Sequence, residues 1–231
     1  MKTIGLLGGM SWESTAHYYR LLNQGVNEKL GGLHSAKIAM VSVDFQQLEI
    51  YMRQGQWAEC GELLARAAQK IEMAGADFLL ICTNTMHKVA ETITAAVDIP
   101  LLHIADATAE KIKENNIQSV GLLGTRFTME EDFYSGRLKE KHGLRVIIPS
   151  RTDCQKVHDI IFKELCLGKI TEESRRTYLN IIDSMHLQGA EAVIEGCTEI
   201  GLLVNQTHTK VPLFDTTALH VEQAVHLALA E

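Results

Sequence analysis

Three short phrases of this chain occur twice, in the same order and at nearly constant separation. Ile4-Gly5-Leu6-Leu7-Gly8 returns as Val120-Gly121-Leu122-Leu123-Gly124, and Gly75-Ala76-Asp77 returns as Gly189-Ala190-Glu191. Ile99-Pro100-Leu101-Leu102 returns as Val211-Pro212-Leu213-Phe214. The repeat unit is far too long for a solenoid, whose units are single supersecondary elements. It predicts two similar lobes, and 231 residues are enough to give each its own core. No Pro/Gly/Ser-rich linker separates the halves, so the chain is expected to cross between lobes more than once. The landmarks assign residues 1–98 plus 212–231 to a first α/β lobe and 99–211 to a second.

Within each half, short apolar runs alternate with helical patterns, which predicts mainly parallel sheets flanked by helices. Thr3–Gly8 reads as the first strand, Gly8-Gly9-Met10 as a tight turn, and Ser11 or Ser14 as the cap of a helix to about Glu28. Ala36–Val43 reads as the second strand, followed by a short helix near Leu48 and a long one from Trp57 to Ala74. Phe78–Cys82 is the third strand, with Thr83-Asn84-Thr85 opening a helix to about Ala96. Pro100-Leu101-Leu102 reads as a short fourth strand before a helix from about Asp106. The lobes are expected to be related by a pseudo-twofold, with the active site in the cleft between them.

Composition removes several classes of function. The net charge is −7 and no basic stripe stands out, which excludes nucleic acid as a partner. A polybasic membrane patch is also absent, and no apolar run approaches the length of a membrane span. The apolar run at the amino terminus is too short for a signal peptide. Five widely spaced cysteines, none in a C-x-x-C pair, suggest reduced thiols and a cytoplasmic protein. The histidines do not combine with them at zinc-site spacings, so no metal is expected. Gly5-x-x-Gly8-Gly9 does not match the dinucleotide-binding fingerprint.

The residues with the most chemical promise are Glu195-Gly196-Cys197-Thr198-Glu199. They follow the apolar run Ala192-Val193-Ile194 and lead into Ile200-Gly201-Leu202-Leu203. Cys197 is thus expected at the carboxyl end of a strand and the start of a helix, where ligands collect in open α/β sheets. That position is also expected to favour thiolate over thiol. Through the repeat, Cys197 falls on Thr83, so one strand-to-helix turn offers a thiol and the other a hydroxyl. In a strand, neighbours point to opposite faces, so Cys82 is expected in the core if Thr83 is not.

These phrases resemble the aspartate/glutamate racemase family, enzymes that racemise amino acids without pyridoxal phosphate. The resemblance rests on Ile4-Gly5-Leu6-Leu7-Gly8-Gly9-Met10, Gly75-Ala76-Asp77-Phe78, Thr83-Asn84-Thr85-Met86-His87, Gly121-Leu122-Leu123-Gly124-Thr125 and Gly196-Cys197-Thr198-Glu199. The last matches the family's usual form. The first-lobe marker departs from it, having Thr83 where the family has a cysteine. The resemblance implies a two-base reaction at Cα, a small amino-acid substrate, no cofactor and a homodimer. Cys197 and Thr83 are then the catalytic pair. Asn84, Thr85, Thr198 and backbone N–H groups would hold the carboxylate and the carbanion charge. Met10, Thr125 and Glu199 complete the substrate-binding set, with Glu199 orienting the thiol. An alcohol is a poor base near neutral pH, so the pair is asymmetric. In the family the second-lobe thiol attends to the L form, which implies a preference for L substrates.

An acidic side chain would need a cation, and Arg53 is the first basic residue after the second strand. Without it, a pocket lined by Met10, Phe45 and Met52 suits neutral amino acids. His87 reads as a packed, hydrogen-bonded histidine, Asp44 as a strand-end cap, and Cys60, Cys154 and Cys166 as structural. Two other readings stay open at this point. One is a maleate isomerase, arylmalonate decarboxylase or hydantoin racemase-like enzyme of the same superfamily. The other is a non-catalytic ligand-binding relative.

Overall fold

A computed structural model describes residues 1–230. The chain forms two compact units, residues 1–104 with 220–231 and residues 105–219. The first opens with β1 (Ile4–Gly8), α1 (Trp12–Leu30), β2 (Ile38–Ser42), α2 (Phe45–Gln54), α3 (Trp57–Met73) and β3 (Phe78–Ile81). A 3-10 turn over Thr85–Val89 and α4 (Ala90–Thr94) follow. The second contains α5 (Ile104–Glu114), which begins at the boundary, β4 (Ser119–Gly124), α6 (Arg126–Glu130), α7 (Asp132–Glu140), β5 (Arg145–Ile147) and α8 (Arg151–Lys163). After a 3-10 turn at Leu165–Leu167 come α9 (Glu172–Leu187), β6 (Ala192–Gly196), α10 (Ile200–Leu203) and β7 (Leu213–Asp215). The last helix, α11 (Thr216–Leu229), carries the chain back to the first unit.

Every strand pairing is parallel. The first sheet has the order β2-β1-β3 and the second β5-β4-β6-β7. The repeat in the sequence is a repeat in the hydrogen bonds. Asp77 N donates to Thr3 O as Glu191 N donates to Ser119 O, and Leu79 N donates to Pro100 O as Val193 N donates to Pro212 O. The shared wording follows from the environment. β1, β3, β4 and β6 are buried along their whole length, so both faces favour apolar residues or glycine, with Ser119 and Glu195 as the polar exceptions.

In the first unit, Tyr18, Leu22 and Val26 of α1 pack with Val221, Ala224 and Val225 of α11 against Ile4, Leu6, Phe78 and Leu80. In the second, α8 and α9 supply Val157, Ile161, Tyr178, Ile181, Ile182 and Met185 to the face carrying Leu123 and Val193. Ser11 caps α1 by accepting from Ser14 N.

Three features differ from the sequence reading. Pro100-Leu101-Leu102 contributes only a single bridge, Leu101 to Leu79, rather than a strand. The helix expected from Thr83 to Ala96 is broken into the 3-10 turn and α4, which meet at Val89 outside helical backbone angles. β7 hydrogen-bonds to β6, so residues 212–219 lie in the second unit, and residues 99–104 lie in the first. The landmark marks the last strand position of each half but does not say which sheet receives it.

Candidate active site

The second-unit site begins where β6 ends. Gly124 and Gly196 are register partners, so the turns starting at Thr125 and Cys197 leave adjacent strands side by side. No side chain fits at Gly196, where a Cβ would stand 2.6 Å from the carbonyl oxygen of Leu123. Thr125 caps α6 by accepting from Thr128 N, and its hydroxyl lies 3.2 Å from that of Thr128. Ile200 N donates to Cys197 O, closing the turn into α10.

Glu199 occupies the cap position of α10, yet its side chain makes no capping bond. Its Oε2 instead accepts from Cys197 Sγ at 3.0 Å and from Thr198 Oγ1 at 2.7 Å. One buried carboxylate therefore gathers the three motif residues and aims the S–H bond. This reverses the expected state of the thiol. Burial, the Glu199 charge and nearby Cys166 push the Cys197 thiol well above its ordinary range. α10 is a single turn, so it contributes little dipole to oppose a carboxylate at contact distance. Cys166 also lies within reach of this charge, and burial together with Glu199 pushes its thiol up to about 12. It was missed as a neighbour of the site because it comes from the 3-10 turn before α9, with no motif of its own.

In the first unit the corresponding turn follows β3. Cys82 N donates to Leu7 O, which sets Gly8-Gly9-Met10 beside Cys82-Thr83. Gly9 has a φ of +93° and a Cβ there would meet Val43 O at 2.2 Å, so the tight turn needs glycine. Cys82 is buried in the core cluster while Thr83, one residue further beyond the end of β3, is half-buried. Asn84 and Thr85, the next two residues in the chain, are buried, and so is Met10. Asn84 makes no side-chain capping bond to the 3-10 turn.

The backbone of Thr83 is fixed from behind. Ile104 N donates to His87 Nε2, which leaves Nδ1 carrying the ring proton and donating to Thr83 O at 2.9 Å. His87 lies 4.4 Å from His103, ring centre to ring centre and tilted to it, and near His220, whose Nε2 donates to Leu102 O while Nδ1 accepts from Tyr18 OH. Burial and the neighbouring imidazoles hold His87 well below its usual range, and burial lowers His220 to about 4. Arg53 is exposed on α2 and faces Glu49 at 3.9 Å. Asp44 caps α2 through Gln46 N. Among the described residues no group of His, Cys, Asp or Glu is arranged to hold a metal ion, and no helix is long and apolar enough to cross a membrane.

Residues 7–224 match the family described as Asp/Glu/Hydantoin racemase. The chain belongs to that family. A crystal structure of a candidate Asp/Glu racemase from Yersinia pestis is 55% identical with a TM-score of 0.94, covering 100% of both chains. An aspartate racemase homologue from Pyrococcus horikoshii OT3 is 32% identical with a TM-score of 0.86, again over 100% of both. The broad specificity amino-acid racemase RacX of Bacillus subtilis (strain 168) is 24% identical over 98% of each chain. The protein is an isomerase, with the general cofactor-independent racemase or isomerase activity of this superfamily.

Proposed function

We propose that this enzyme racemises or epimerises free amino acids, L forms in preference, by breaking the Cα–H bond with Cys197 as the base. The observation carrying this reading is the contact of Cys197 Sγ with Glu199 Oε2 at 3.0 Å, made within the Gly-Cys-Thr-Glu motif. In the reaction the thiol passes its proton to Glu199 Oε2, the thiolate takes the α-proton, and the carbanion is reprotonated on its other face. Thr83 supplies that second proton, directly or from a water it holds. An alcohol is a much weaker general base than a thiol near neutral pH, so the reverse direction starts poorly. Asn84 and Thr85 bind the α-carboxylate, while Thr125, Thr198 and Met10 border the reacting carbon.

Each unit of pKa mismatch between Cα–H and thiol costs about 1.4 kcal/mol, so stabilisation of the carbanion is the main demand on the site. Substrates include aspartate and glutamate or a broader set, in keeping with the specificity named for the Bacillus subtilis relative. Arg53 would serve an acidic side chain, and its exposed pairing with Glu49 costs little to exchange. A homodimer belongs to the same proposal and is measured by light scattering. Solvent deuterium incorporation into matched L and D amino acids tests the reading. L forms should exchange faster, and Thr83→Cys should raise exchange of the D forms. Equal exchange of both enantiomers in the unaltered enzyme would overturn the asymmetry.

A further inference from the structure

Glu195 is a carboxyl group buried where a sheet interior has no use for one. It lies on β6 and is only 4% exposed, and its Oε1 has no hydrogen-bond partner. By strand alternation it shares a face with Val193, and that face is covered by Tyr178 and Met185 of α9. Its register partners are Leu123, which is apolar, and Asp215, whose Oδ1 is committed to the N–H groups of Thr217 and Ala218. α10 closes over Asp215 tightly enough that a Cβ on Gly201 would stand 3.2 Å from its Oδ2. Two residues after Glu195 comes Cys197.

We propose that Glu195 is a positioning residue for Cys197, held as a neutral acid beneath the Cys197-Thr198-Glu199 segment, so that loss of its proton unseats the segment and stops the reaction. A second carboxylate beside Asp215, with an oxygen lacking any donor, has to draw in water or move. The cover it would displace is α10 and the turn that carries the thiol.

Asp215 faces Glu195 from β7, and Cys197 and Glu199 follow it in the chain. Tyr178 faces it from α9, its phenol pushed well up by burial and by Cys197, Cys166, Glu164 and Glu195 together. α10 and Leu123 of β4 contribute no titratable group. Burial, then the Asp215 charge, raises the Glu195 carboxyl to about 8, so the acid is neutral at pH 7 and ionises just above it.

The inference rests on Cys197 being the reacting thiol, and the test separates the two claims by following the thiol as well as the turnover. α-Proton exchange and Cys197 alkylation by iodoacetamide, read by peptide mass spectrometry, are measured from pH 6 to 9.5 on the wild type, E195Q and D215N. In the wild type, exchange should fall about tenfold between pH 7 and 9 while alkylation rises. Titration of the thiol alone would raise both. E195Q should keep near-wild-type exchange at pH 7 and lose the alkaline fall, and D215N should move the fall to lower pH. The same alkaline fall in E195Q, or no opposed change in the wild type, would overturn the proposal. Where no amino acid exchanges at any pH, a step in Cys197 alkylation that the wild type shows and E195Q lacks would leave it standing and refute the racemase reading instead.

Discussion

Replacing Glu199 by Gln removes the charge that holds the Cys197 proton in place while leaving an oxygen to accept from Thr198. The Sγ to Oε2 distance is 3.0 Å, so a thiolate formed there stands against a full negative charge. At that separation the repulsion is about 1.4 kcal/mol in a water-like dielectric and about 5.5 kcal/mol at an effective dielectric of 20. Even the lower figure is a factor of about ten in thiolate population at fixed pH. Alkylation of Cys197 at pH 7 should therefore be at least about tenfold faster in the Gln variant. Peptide mass spectrometry distinguishes this cysteine from Cys166, which the same carboxylate also raises. An unchanged or slower rate would refute the claim that Glu199 governs the protonation of the thiol.

Other perturbations test the scaffold. His87 and His220 are buried in the neutral form, with folded-state pKa values below the unfolded value. The unfolded chain therefore takes up their protons first as pH falls, so the stability they allow is complete above about pH 6.5 and drains away below it. For His220, lowered to about 4, the loss by that pH is on the order of 3 kcal/mol, and urea midpoints between pH 7 and 4 should show it. H220Q, with an amide that can still meet Tyr18 and Leu102, should flatten the acid limb; an identical limb would assign it to other groups. Gly196→Ala places a Cβ 2.6 Å from a backbone oxygen, so a loss of about 1–3 kcal/mol in urea denaturation is expected, with Cys197 displaced. Wild-type stability in that variant would contradict the packing described at the end of β6.

The two-unit architecture was legible because doubly buried parallel strands leave little freedom of wording. The repeated apolar-glycine phrases are the strands β1 and β4, and the glycines sit where a Cβ would strike a neighbour. The crossing points of the chain were not legible, because Pro100 and Pro212 play equivalent hydrogen-bonding parts within different sheets. The placement of Cys197 after β6 was readable from the apolar run before it. The protonation state of its thiol was not, since it depends on which way the Glu199 side chain turns. Helix-start chemistry argued for a thiolate, and a carboxylate on the sulfur decided otherwise. The histidine cluster behind Thr83 and the Cys166 beside Cys197 come from residues far apart in sequence, and no local pattern announces them.

The central claim is that Cys197 removes the α-proton. Deuterium incorporation at Cα of L amino acids in D₂O, followed by NMR with the wild type and with Cys197→Ala, tests it most directly. The account expects steady exchange with the thiol present and none above the buffer rate without it. Exchange at the wild-type rate in the Ala variant would contradict it.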